Sequence, residues 1–189
     1  MSQNSETPST NLRAIGQIFT LTGWISFWIQ LVLGVVSGVI LLLYGISSQK
    51  PGSSGNNPGT GFGIFLAICG IVGLGAGIYM AFRYTRIGNA LQSSNASNRP
   101  RKSETLQVLR LGSYVSLAGI LATLLGAQAI VGTLAARAIT QTQFVLSPQG
   151  NQGFITGLDM FVVQANINTI SAHFAGLVAA LWLMNRINR

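Results

Sequence analysis

WISFWIQLVLGVVSGVILLLYGI, residues 24–46, runs for 23 residues without one charged side chain. As a helix it would reach about 35 Å, enough to cross the roughly 30 Å hydrocarbon layer of a bilayer. Residues 61–82, 112–134 and 162–184 read the same way. Composition agrees: of 189 residues, 49% are hydrophobic and 7% are charged, against about 25% charged in soluble domains, and the mean hydropathy is +0.49. So few charges cannot cover the surface of a water-soluble domain. The sequence therefore predicts an all-α integral membrane protein, a bundle of four transmembrane helices.

Polar segments separate the spans. Residues 1–11 read as a disordered tail, and residues 12–189 as one membrane domain. SSQKPGSSGNNPGT, residues 47–60, has turn chemistry throughout, whereas residues 83–111 read as a basic loop holding RYTR and RPRK. The first span is too long for the apolar core of a signal peptide and follows a stretch with a single Arg, so it reads as a mature helix. Leu12, Ile15, Phe19 and Thr22 recur at helical spacing, which predicts a short helix lying in the interface before the first span.

Charge sets the expected orientation. One side holds nine basic residues, Arg13, Arg83, Arg86, Arg99, Arg101, Lys102, Arg110, Arg186 and Arg189, and the other holds two, Lys50 and Arg137. The positive-inside rule places both termini and the 83–111 segment in the cytoplasm. The net charge of +8 is then mostly a topology signal on a face that also attracts anionic lipid headgroups. Nucleic acid is excluded as a partner, because no recognition helix or aromatic-interleaved basic module is present.

The residue inventory also limits the chemistry. One His, one Cys and three carboxylates supply no paired acids, activated nucleophile or closed metal site, so the chain reads as a non-enzyme with no resident cofactor. Cys69 and His173 both fall near mid-membrane and are the only weak candidates for a soft metal site.

Because lipid tails are as apolar as Leu, helices in a bilayer associate through small residues and interhelical hydrogen bonds. Gly34 and Gly38 in the first span and Gly73 and Gly77 in the second form small-residue faces suited to close packing. Intramembrane polar residues are the candidates for either helix pairing or a polar path: Gln30, Gln128, Gln164, Asn166, Asn168 and His173. In the fourth span Asp159, Asn166 and His173 share one line, while Gln164, Asn168 and Ser171 share a stripe nearly opposite. A helix polar on both sides should be the most enclosed of the four or sit at an oligomer interface. Gln128 and Asn168 are estimated at equal depth, which predicts a hydrogen bond between them. His173 is expected neutral and bonded to a neighbouring helix, with packing favoured over metal binding. Gln30 and Gly34 match the spacing of Gln128 and Gly132, and Tyr79, Arg83 and Arg86 match that of Trp182, Arg186 and Arg189, a hint of parallel duplication, although an aromatic followed by arginines is also what any helix arriving at the interface carries.

FWIQLVLGVVSGV in the first span, TLLGAQAIVGTL in the third and DMFVVQANINTISAHF entering the fourth resemble a four-span family of cyanobacteria and plastids. Its plant members are called both the permease in chloroplasts and a translocon subunit of the inner envelope. The resemblance runs from Arg13 to Arg189. It implies membrane transport with iron as a transported ion, or a non-catalytic role in a protein-import or assembly complex, in a bacterial plasma or thylakoid membrane. It brings no agreed binding residues.

Overall fold

The computed structural model describes residues 10–48, 58–93, 99–144, 155 and 157–188. They form four helices, α1 Thr10–Ser48, α2 Pro58–Gln92, α3 Lys102–Phe144 and α4 Gly157–Asn188. All four are long and apolar enough to span a membrane. Each packs against the next in chain order, α4 closes the ring against α1, and α2 meets α4 across the diagonal. The bundle is apolar outside and polar within: Leu42, Val72 and Phe161 are 68%, 70% and 61% exposed, while Gln30, Asn166 and His173 are at most 1% exposed. That arrangement suits lipid and not water, so the chain is a multi-pass membrane protein.

Two glycine crossings bring helix backbones into contact. At one end Gly16 of α1 meets Gly88 of α2, where a Cβ on Gly88 would lie 2.7 Å from the Gly16 carbonyl oxygen. At the other end Gly63 of α2 meets Gly126 of α3, and a Cβ on either would lie 2.9 Å from the other's carbonyl oxygen. No side chain larger than hydrogen fits such a crossing, so α2 approaches both neighbours closely, as its glycine content predicts. Gly34 abuts Leu74, and Gly73 and Gly77 face His173 and Gln30. Gly38 departs from its expected packing role: nothing lies within 4 Å of its Cβ position.

Two apolar layers cap the bundle interior. Phe19, Met80, Tyr84, Ile87, Leu109, Ala180 and Leu183 pack together at the basic end; Tyr44, Ile130, Leu134 and Val162 pack at the other. On the outer surface of the bundle near the first layer, Trp24, Tyr79, Tyr114 and Trp182 are all exposed, an aromatic belt of the kind that marks a membrane interface. Arg186 sits over the Trp182 ring at 5.5 Å, and Arg86 over Phe82 at 4.8 Å.

Past this belt the helices continue, which revises two expectations. The 12–21 segment is not a separate helix but the continuous start of α1; its Thr20 hydroxyl bonds Gly16 O at 3.1 Å and lies 3.2 Å from Asn89 Oδ1 of α2. The 83–111 segment is mostly helix, since α2 runs to Gln92 and α3 begins at Lys102. The hydropathy signal stops at the interface, whereas hydrogen bonding and packing carry the helices on. Glu104 in the first turn of α3, and Asp159 and Arg186 at the two ends of α4, match the helix dipoles. Residues 1–9, most of 47–60 and the 145–154 segment lie outside the described residues.

The charge asymmetry yields a direct expectation for orientation. A thiol at Ser103, exposed at the basic end, should react with an impermeant reagent only from the cytoplasm, and one at Gly157, exposed at the other, only from outside. Inverted labelling would reject the assignment.

Candidate functional site

Between the two apolar layers lies a polar interior built mainly on α4. The i, i+7, i+14 line of Asp159, Asn166 and His173 faces inward, with all three buried. Ala165, Ala172, Gly176, Ala179 and Ala180 flank it, and these short side chains bring α4 close to α1, α2 and α3.

His173 is the centre. Its Nε2 lies 3.0 Å from the carbonyl oxygen of Gly70 on α2, so Nε2 carries the proton and donates. The expected bond to another helix is present, although its partner is a backbone carbonyl. Gly73 also touches the imidazole, and Gly119 of α3 presses against its ring. With the Nε2 proton committed, Nδ1 is a buried lone pair, and it has no hydrogen-bond partner.

Gln30 lies nearer the basic end. Its Nε2 donates to Ser26 Oγ at 2.7 Å, and Oε1 is buried without a partner. A Cβ on Gly77 would lie 2.5 Å from that oxygen, and one on Gly176 would lie 3.1 Å from both Gln30 Nε2 and Ser116 Oγ. All four helices therefore meet at Gln30. On the opposite side of His173, Asn166 Nδ2 donates to Val162 O at 2.9 Å and leaves Oδ1 unpartnered. Nearby, Ser37 of α1 donates to Ala165 O at 2.9 Å, tying α1 to α4. Thr123 and Thr169 donate back to Gly119 O and Ala165 O on their own helices.

The result is a column of three free acceptors, Asn166 Oδ1, His173 Nδ1 and Gln30 Oε1. By helix rise they span about 15 Å along the bundle axis. A buried acceptor without a donor is destabilising, so these three are the acceptors of the interior that hydrogen bonding among the described residues leaves available.

The other three intramembrane candidates are not in this interior. Gln128 is exposed on the outer face of α3 and Gln164 on that of α4. The predicted Gln128–Asn168 bond is absent: Asn168 Oδ1 accepts from Gln164 Nε2 at 3.0 Å along α4 itself. Gln30 and Gln128 thus face opposite ways, and Gly132 is open while Gly34 is packed, so the matching spacing does not place equivalent positions. Cys69 is exposed and shares no site with the enclosed His173. Among the described residues no group of three or more His, Cys, Asp or Glu could hold a metal ion. The small residues Ser37 and Gly70 do lie at helix contacts, as the packing reading expects, but sequence reasoning missed Ser26, Ser116, Thr123 and Thr169, along with Gly119 beside the imidazole. The Ser26–Gln30 and Gly119–Thr123 spacings of four were the available signal.

Fold and interior together define a four-span helical membrane protein with an enclosed polar core. The chain belongs to the family described as Protein of unknown function (DUF3611), which matches residues 9–188. It is also 33% identical over 180 residues to Protein TIC 21, chloroplastic, from Arabidopsis thaliana, an alignment covering 93% of this chain and 58% of that one. The chain thus spans under three-fifths of its relative's length. No solved structure matches it.

Proposed function

We propose that this protein carries a cation across the membrane along the bundle axis, with ferrous iron the first candidate for cargo. The observation that supports the reading is the column of Asn166 Oδ1, His173 Nδ1 and Gln30 Oε1, each buried and unpartnered. Imidazole nitrogen and amide oxygen suit a borderline transition-metal ion. The absence of a carboxylate among them favours weak, multi-site binding, which a conducted ion needs in order to leave. Apolar clusters at both ends of the interior fit an occluded state in this reading, and transport then requires helix movements that open one cluster at a time. The protein acts without catalysis or a resident cofactor, in a bacterial plasma or thylakoid membrane. Purified protein in liposomes should take up Fe(II) saturably, and flux no greater than in protein-free vesicles would contradict the proposal.

A second reading, a non-catalytic subunit of a protein-translocation or assembly complex, rests on the basic helix ends beyond the aromatic belt, where Arg86, Arg101, Lys102 and Arg110 are exposed. It predicts no flux, together with crosslinks from these residues to other polypeptides in native membranes.

A further inference from the structure

The outer face of α4 carries polar residues where lipid should be. Gln164 and Ser171 are exposed and Asn168 is half-buried, yet by helix rise Asn168 lies only about 7 Å from the middle of α4, well inside a hydrocarbon layer of about 30 Å. Apolar neighbours surround them, with Ile167 and Phe174 50% and 59% exposed. The side chains partly satisfy one another: Gln164 Nε2 donates to Asn168 Oδ1 at 3.0 Å, and Ser171 Oγ donates to Ile167 O at 2.9 Å. This leaves Gln164 Oε1 as a free acceptor and the Asn168 amide as a free donor, an arrangement costly to present to lipid.

The chemistry of the stripe, a free amide acceptor and donor beside small residues, suits a second copy of the same helix. Gln164, Asn168, Ser171, Ala175, Val178 and Trp182 follow one another at intervals of four, three, four, three and four. Positions at these intervals lie along one stripe of the helix, the stripe a second helix can follow. Ser171 and Ala175 are small enough for close approach of a second helix. Beside the Ala175–Trp182 half, α4 and α1 form an apolar groove of about 450 Å³ lined by Ile25, Ile29, Phe174 and Val178, room for side chains from across the seam. A two-fold axis along the membrane normal sets each seam residue opposite its own copy. The Gln164 acceptor and Asn168 donor then find their complements, as an Asn does at a core position of a parallel coiled coil.

We infer that the protein forms a parallel homodimer through the Gln164–Asn168–Ser171–Ala175–Val178–Trp182 seam of α4. The inference is independent of whether the polar core conducts. The chain has a single cysteine, Cys69, so a Cys69→Ser background allows disulfide mapping in native membranes. Asn168→Cys, Ser171→Cys and Ala175→Cys should each give a disulfide-linked dimer under mild oxidation, whereas Val72→Cys, 70% exposed on α2, should not. Independently, Gln164→Leu with Asn168→Leu should raise the dimer dissociation constant in liposomes by about tenfold. These lipid-facing substitutions leave the interior intact, so the monomer's melting temperature should hold. A wild-type monomer at every protein-to-lipid ratio, crosslinking from Val72→Cys equal to that from the seam, or seam crosslinks only to a different polypeptide would each overturn the inference.

Discussion

Gly119→Ala should destabilise the bundle by about 1–3 kcal/mol or prevent its assembly, while Gly132→Ala on the same helix should cost nothing. At Gly119 a Cβ would overlap the His173 ring, and that ring cannot yield: it is fully buried and anchored through Nε2 to Gly70 O at 3.0 Å. At Gly132 nothing lies within 4 Å, so the added methyl meets lipid and the higher helix propensity of alanine can even stabilise, by at most about 1 kcal/mol. Thermal unfolding of the two variants in the same detergent, followed by circular dichroism, separates them. Equal melting temperatures would mean that α3 does not press on the imidazole as described.

Removing the free acceptors should have the opposite profile, with a large loss of transport and little loss of stability. Gln30 and Asn166 bond within their own helices, to Ser26 Oγ and Val162 O, so Gln30→Leu and Asn166→Leu break no tie between helices. Each substitution removes one unsatisfied buried acceptor, which offsets the loss of the bond to Ser26 Oγ or Val162 O within the same helix. A destabilisation under about 1 kcal/mol is therefore expected, together with at least tenfold slower Fe(II) uptake by each variant. Uptake at the wild-type rate in both would leave the column without a role in conduction.

Much of this architecture is legible in the sequence, because a bilayer imposes simple rules. Scarce charge and four long apolar runs dictate spanning helices, and the phase of Asp159, Asn166 and His173 along α4 already places them on one face. The opposite stripe of Gln164, Asn168 and Ser171 was equally visible, together with its need for cover. Rotation of the other helices was not. Gln30 and Gln128 share the same local pattern, yet one points inward and the other outward, because glycine crossings such as Gly16–Gly88 and Gly63–Gly126 set helix rotation and depend on pairs of residues far apart in the chain. Helix length also escaped the sequence reading. The 83–111 segment turns polar at the interface, and polar composition there reports contact with water, which a projecting helix tolerates as well as a loop does.

The central claim is that His173 offers its free nitrogen to a passing cation while its other nitrogen holds the helices together. His173→Gln retains a side-chain donor for Gly70 O but replaces the imidazole lone pair. The decisive measurement is Fe(II) uptake into liposomes carrying equal amounts of wild-type and His173→Gln protein, with melting temperatures determined on the same preparations. The account predicts similar melting temperatures and uptake reduced at least about tenfold in the variant. Wild-type uptake by a stably folded His173→Gln protein would contradict it and reduce His173 to a packing residue.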